Sequence, residues 1–309
     1  MIKKITVTNQ LQESIELELR FPEKSGFLVR DISGLTPPKA DINISQIATN
    51  DGAMFNSAHV YSRNIVLDLI FSLNQPIEDT RLKSYKFFPI KQRIDIQIET
   101  TNRLCRTYGY VESNEPSIFT SEPNTSVSIV CPDSYFYSFD KNITVFSGTQ
   151  KLFEFPFENN SPENDLEHVD DKQIEFGRIQ LSNTATIQYV GDAPIGIVAF
   201  IHAIGTVINP SIINTRTGEL FKINSARLLT LTGSADIVEG DNIILSTVKG
   251  DKFLYLQRGG QLINILSCIG DSSDWFQLQR GDNLFAYTAD DGVENLQFRI
   301  ENQIAYEGV

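Results

Sequence analysis

Three blocks, Asp41-Ile-Asn-Ile-Ser45, Asn50-Asp-Gly-Ala-Met-Phe-Asn-Ser57 and Asn64-Ile-Val-Leu-Asp-Leu-Ile-Phe71, belong to one stretch in which a long polar excursion ends in a strongly apolar strand. From Ser45 to Ser62 no apolar period of 2 or 3.6 is long enough to bury a face, yet Met54, Phe55 and Val60 stand along it. Asn50-Asp51-Gly52 is turn chemistry, because glycine supplies positive φ and Asn and Asp tolerate it. Structureless loops longer than about 12–15 residues are uncommon in compact domains. A hairpin arm over 43–62 that leaves its own domain is therefore expected, with Asp51 and Gly52 at its turn and Met54, Phe55 and Val60 as its contact residues.

Around that stretch the pattern is mainly β. Ile15, Leu17, Leu19 and Phe21 alternate with Glu16, Glu18 and Arg20, as do Ile94, Ile96 and Ile98 with Asp95, Gln97 and Glu99, the period of a half-buried strand. In 65–71 both faces read as covered, with Ile65, Leu67, Leu69 and Phe71 on one and Val66 and Ile70 on the other. Residues 77–88 predict one helix, with Glu78 and Asp79 at its start, Lys83 and Lys86 later and Pro89 as its stop, and with Leu82 and Tyr85 facing the sheet. Pro37-Pro38 marks an extended connection without ladder bonds.

Cys131-Pro132-Asp133 closes the first half, because Pro132 cannot continue a central ladder, and places a boundary near residue 139. The expected domains are 1–139 and 140–309. Charge divides at the same place: 1–139 carries 14 basic and 16 acidic residues, and 140–309 carries 12 and 23. Beyond 140, strands of 4–8 residues alternate with Gly-Asp turns, which argues a β-sandwich of jelly-roll type. The acidic, aperiodic segment 158–172 reads as a surface loop.

A formal net charge of −13 argues against a nucleic-acid-binding surface, which needs clustered Lys and Arg. Cys105, Cys131 and Cys268 have no metal-type spacing and read as buried free thiols. His59, His168 and His202 show no ligand spacing either, and His202, in an apolar run, reads as a hydrogen-bonded sheet histidine. Asp290-Asp291-Gly292 and Asp170-Asp171 match no calcium loop and read as solvated turns. No nucleophile elbow, phosphate loop or dinucleotide fingerprint is present, so no cofactor or metal is expected, and a glycosidase-type pair of carboxylates among the abundant acidic residues is the one enzyme reading left open. The single tryptophan, Trp275, alternates with Phe276 and Leu278; if those two point inward, Trp275 faces out as a weak candidate platform for saccharide or partner.

Met1-Ile2-Lys3-Lys4 leads directly into a strand pattern with no signal peptide, so synthesis in the cytoplasm is expected. Taken in order, Gly34-Leu-Thr-Pro-Pro-Lys39, Asp51-Gly-Ala-Met-Phe55, Ser62-Arg-Asn-Ile-Val-Leu67, Arg81, Phe88-Pro-Ile-Lys91, Gly109-Tyr-Val-Glu112 and Cys131-Pro-Asp-Ser-Tyr-Phe136 resemble the N-terminal domain of phage distal tail proteins. Asn214-Thr-Arg-Thr-Gly-Glu219, Trp275-Phe-Gln-Leu278, Gly281-Asp-Asn283 and Tyr306-Glu-Gly-Val309 extend the resemblance over nearly the whole chain. It implies a virion structural protein at the tail tip, with no catalysis. The N-terminal domain would be a β-sandwich or split-barrel-like ring unit with one helix and an arm that embraces the next subunit. A galectin-like jelly roll would follow it. Such proteins form rings, usually of six copies, between the major tail tube protein and the tail-tip hub protein, with DNA passing as cargo through the channel. Receptor-binding proteins or cell-surface saccharide are further implied partners, and a carbohydrate-binding module for host recognition is the alternative reading.

Overall fold

A computed structural model describes residues 1–46, 51–150, 178–181 and 183–309. The acidic segment 158–172 lies outside them. The chain divides into two compact units, the first made of Met1–Lys141 with Val190–Pro194 and Gln303–Val309, the second of Asn142–Tyr189 with Ile195–Asn302. Two short segments from beyond residue 139 therefore return to the first unit, whereas the sequence reading gave everything after 139 to the second.

The first unit is built from strands Ile2–Thr8 (β1), Ser14–Glu18 (β2), Phe27–Ser33 (β3), Ala40–Gln46 (β4), Ala53–Val60 (β5) and Arg63–Phe71 (β6), helix Ile77–Phe87 (α1), and strands Arg93–Thr100 (β7), Leu104–Ser117 (β8), Asn124–Cys131 (β9) and Phe136–Ser138 (β10). Its main sheet runs β2-β1-β7-β8-β9-β6-β3, and β10 pairs β8 and the two-residue strand Ala305–Tyr306. The ladders from β2 through β3 are antiparallel. The inward residues of each strand, such as Val7, Leu17, Leu67, Ile96 and Ile129, form one contiguous core. Both edge strands contribute to that core, through Ile15 and Leu17 of β2 and Phe27 of β3, so the sheet curls around it while no pairing joins the two edges among the described residues. Glu16 and Glu18 blunt the β2 edge.

Two sequence expectations are corrected here. In β6 only one face is covered: Ile65, Leu67, Leu69 and Phe71 are buried, while Val66, Asp68 and Ile70 are half-buried, with Arg30 paired to Asp68 on that side. In α1 the buried residues are Thr80, Ser84 and Phe87, and Leu82 and Tyr85 are 54% and 39% exposed. Small side chains at Thr80 and Ser84 let the helix approach the sheet closely. A buried polar relay occupies the contact, in which Thr125 Oγ1 donates to Asn114 Oδ1 at 2.7 Å and Asn114 Nδ2 donates to Ser84 Oγ at 3.4 Å. Arg81 lies over the Tyr85 ring on the outer side.

Besides a two-stranded pairing of 147–150 with 178–181, the second unit holds two larger antiparallel sheets. One orders 142–145, 296–302, 198–203, 242–246, 253–258 and 261–264; the other orders 184–189, 281–288, 211–214 and 219–222. Ile201, Leu245, Phe298 and Ile300 of the first and Ile187, Ile212 and Phe285 of the second are buried, and Tyr287 stacks on Phe298 at 4.4 Å between ring centres. The single α-helix beyond residue 140 among the described residues is one turn, Leu229–Thr232, which continues the 3-10 turn Ser225–Leu228.

Candidate functional site

The arm is a two-stranded ribbon of β4 against β5 that makes up a sheet of its own. It starts earlier than the sequence reading placed it, at Ala40. Asp51 is exposed at its turn and Gly52 has φ +98°, a conformation that favours glycine; residues 47–50, and with them Asn50, lie outside the described residues.

Register gives the ribbon two unlike faces. Ala40 pairs Val60, Ile42 pairs Ala58 and Asn43 pairs Ser57; a bulge then leaves Asn56 without an opposite residue, so that Ile44 pairs Phe55 and Ser45 pairs Met54. Directly opposed residues share a face. One face is therefore Ala40, Ile42, Ile44, Phe55, Ala58 and Val60, and the other carries Asp41, Asn43, Ser45, Met54, Ser57 and His59. Contacts on the second face agree: Asn56 Nδ2 donates to Ser45 Oγ at 2.7 Å, and Tyr61 Oη donates to Asp41 Oδ2 at 2.9 Å with its ring edge-on to His59. On the apolar face Ile42, Ile44 and Phe55 are 59%, 55% and 63% exposed, and Val60 is half-buried. Met54, grouped with Phe55 by the sequence reading, stands among polar side chains on the opposite side. If pairing ran on regularly from Asn43–Ser57 through Asn56, the two would exchange faces, and Phe55 would stand opposite Ser45.

At the arm's root both legs are held by one side chain. Arg63, 3% exposed, donates from Nε and Nη2 to the Ser134 carbonyl at 3.0 and 2.8 Å and from Nη1 to the Thr36 carbonyl at 2.8 Å. Its remaining N–H groups reach the carbonyls of Gly34 and Glu307. All five guanidinium donors are thus spent on backbone oxygens of three separate segments. The plane lies 4.3 Å over the buried Phe136 ring. Burial lowers the Arg63 pKa from the usual guanidinium value, opposed by the neighbouring Cys131 and Asp133. Ser134 Oγ donates to the Tyr61 carbonyl, and Gly34, at φ +83°, lies so close to Asn64 that a β-carbon would stand 2.0 Å from the Asn64 carbonyl oxygen.

The remaining candidates sit in the second unit. Phe276 and Leu278 are fully buried and Trp275 is half-buried, in the alternation read from the sequence. One side of the indole carries the Lys252 ammonium, 5.1 Å from the ring centre, and Phe221 packs edge-on at 5.3 Å. His202 Nδ1 lies 2.8 Å from Asn242 Oδ1 across the sheet. Asp290 is held by Lys222 at 2.8 Å and Asn209 at 2.7 Å, which lower its carboxyl pKa through hydrogen bonds, Lys222 first. Among the described residues no three His, Cys, Asp or Glu side chains gather as metal ligands.

No protein-family pattern matches the sequence, and no curated protein matches it. Solved structures do. The Dit protein (gp 19.1) of phage SPP1, presented as a paradigm of the hub adsorption apparatus in phages infecting Gram-positive hosts, superposes with a TM-score of 0.64 at 12% identity, over 97% of this chain and 98% of that one. Two structures of the phage p2 baseplate in its activated conformation, with Ca and with Sr, superpose at 0.49 and 9% identity, covering 98% and 97% of this chain and the same shares of theirs. The fold implied by the resemblance to distal tail proteins, mainly β with one longer helix, is the fold this chain has.

Proposed function

We propose that this chain is a non-catalytic virion protein of a phage tail tip, in which six copies form a ring between the tail tube protein and the tail-tip hub and leave a channel for DNA. The observation that carries this reading is the one-sided apolar face of the arm. A two-stranded ribbon is at best marginally stable alone in water, and Ile42, Ile44 and Phe55 are more than half exposed on their own unit. A second copy of the chain supplies the cover. Because arm and receiving surface are different parts of the molecule, the contact is heterologous and closes into a ring when the rotation per subunit allows. The fold shared with the SPP1 hub protein supports the same placement.

The test replaces 41–59 with a short Gly-Ser turn. The variant is expected to keep the far-ultraviolet dichroism and melting temperature of the parent, since the arm adds nothing to the core, and to lose rings by light scattering and electron microscopy. Rings that survive the replacement would reduce the arm to a surface loop. Wild-type protein that stays monomeric with the tail tube protein present would overturn the ring.

A further inference from the structure

The hairpin leaves its unit through two legs, 34–39 outward and 61–63 on return, and the outgoing leg makes no ladder between 34 and 39, while the return leg joins one only at Arg63. Five carbonyl bonds converge on Arg63 from Gly34 and Thr36 of the outgoing leg, from Ser134 and from Glu307. The last of these lies 244 residues further along the chain. It arrives on a segment fixed at the same place by other means. Phe136 pairs Tyr306, the Val309 amide donates to the Leu35 carbonyl at 3.1 Å, and a β-carbon on Gly308 would meet Pro37 Cδ at 3.0 Å and the Leu35 carbonyl oxygen at 3.1 Å. Residues 306–309 thus lie against the outgoing leg, and Arg63 stands where both legs and that segment meet.

We propose that Arg63 is the positioning residue of the arm: with residues 306–309 it forms a clamp that sets the direction in which the hairpin leaves its unit. Its consequence for assembly rests on the ring reading above, whereas its geometry does not. The chemistry requires arginine. Carbonyl oxygens from three segments point at one buried spot, where their dipoles repel unless a cation with enough donors stands between them. A planar fork with five N–H groups, held flat on Phe136, meets all of them. Lysine keeps the charge but brings three donors on a single nitrogen. The gap it leaves loosens both legs without removing any residue of the core or of the arm. A side chain at Gly308 acts on the same clamp from another segment by pushing Pro37 and Leu35 away.

The experiment measures arm direction independently of ring formation. Spin labels are placed at Ser57→Cys, exposed on the polar face of the arm, and Glu115→Cys, exposed on β8. The three native cysteines are buried and stay unlabelled. Labelled protein is diluted in unlabelled protein, so that only distances within one chain are read. The parent is expected to give a single narrow distance peak. Arg63→Lys and Gly308→Val are expected to broaden it while the dichroism spectrum is retained, and to lose rings. Arg30→Lys, on an exposed ion pair, is expected to leave the peak unchanged. An unchanged peak in both folded variants overturns the clamp whatever happens to the rings. A broadened peak in a protein whose parent forms no rings upholds the clamp and overturns the ring instead. If Arg63→Lys fails to fold, Gly308→Val alone decides.

Discussion

Cys131 shows what a single buried residue contributes and how its chemistry can be read in solution. The side chain is fully buried in the first unit's core, and burial pushes its thiol from an ordinary 9.0 up to about 11, with the neighbouring Thr107 and Arg63 opposing. Its folded pKa thus lies above its unfolded one. The neutral thiol's contribution is intact below pH 9 and is lost as pH rises toward 11, because the unfolded chain ionises first. A shift of that size corresponds to about 2–3 kcal/mol of stability lost across the window. Tyr137, also pushed up, first by burial and then by its bond to Asp133, adds a loss of the same sign. Denaturant midpoints measured from pH 8 to 11 should therefore fall, and Cys131→Ala should fall less steeply. A slope equal to that of the parent would show that this thiol ionises equally in both states. The buried thiols and the His202 contact were legible in the sequence because each depends on a side chain's own polarity within an apolar run. Arg63 was not. Its partners are backbone carbonyls, which any residue carries and no pattern marks.

Among the elements, the hairpin and α1 show two ways in which apolar letters mislead. Leu82 and Tyr85 read inward because they are apolar, yet Thr80 and Ser84 take the contact, since a helix lying close on a sheet needs small side chains there. In the hairpin the limit is register. A period-2 reading places adjacent Met54 and Phe55 on opposite faces but does not say which is apolar, and the bulge at Asn56 decides it. Bulges of this kind need no special residue, so nothing in the composition announces them. Phe55→Ser should therefore weaken association by about 1.5–3 kcal/mol at each interface, roughly 10- to 150-fold. Met54→Ser should stay within about twofold, the range of ordinary surface changes. Deleting Asn56 should be tolerated, because the regular ladder that results keeps Ile44 opposite Phe55. Sedimentation over a concentration series distinguishes these outcomes. Equal losses from Met54→Ser and Phe55→Ser would mean that the ribbon is gripped on both faces and that its apolar side is not the contact.

At the scale of the whole chain, a division into two was legible from Pro132 and from the uneven charge, but the return of 303–309 to the first unit was not, because strand alternation carries no record of which sheet a strand joins. That return makes the first unit discontinuous. Its core includes Phe136, whose strand pairs 305–306, and Tyr306 and Val309 pack against the same core. A fragment ending at Lys141 loses the Arg63 bond to Glu307, the Val309 bond to Leu35 and the cover over β10. Strand ends make a simple repair available. The Ser138 amide bonds to the Ile304 carbonyl at 2.8 Å, and Gln303 Nε2 donates to the Ser138 carbonyl at 2.8 Å, so 141 and 303 lie a hairpin turn apart. Joining them through Asn-Gly in place of 142–302 should give a compact protein that unfolds in one cooperative transition. The fragment 1–141 alone should melt lower, by roughly 2–4 °C for each kcal/mol lost, or aggregate. Fragment 142–302 should fold as a β-rich domain, carrying 190–194 as a loop. Should 1–141 melt at the temperature of the rejoined protein, residues 303–309 would be an appendage to the first unit, and the clamp on the arm would have to hold without them.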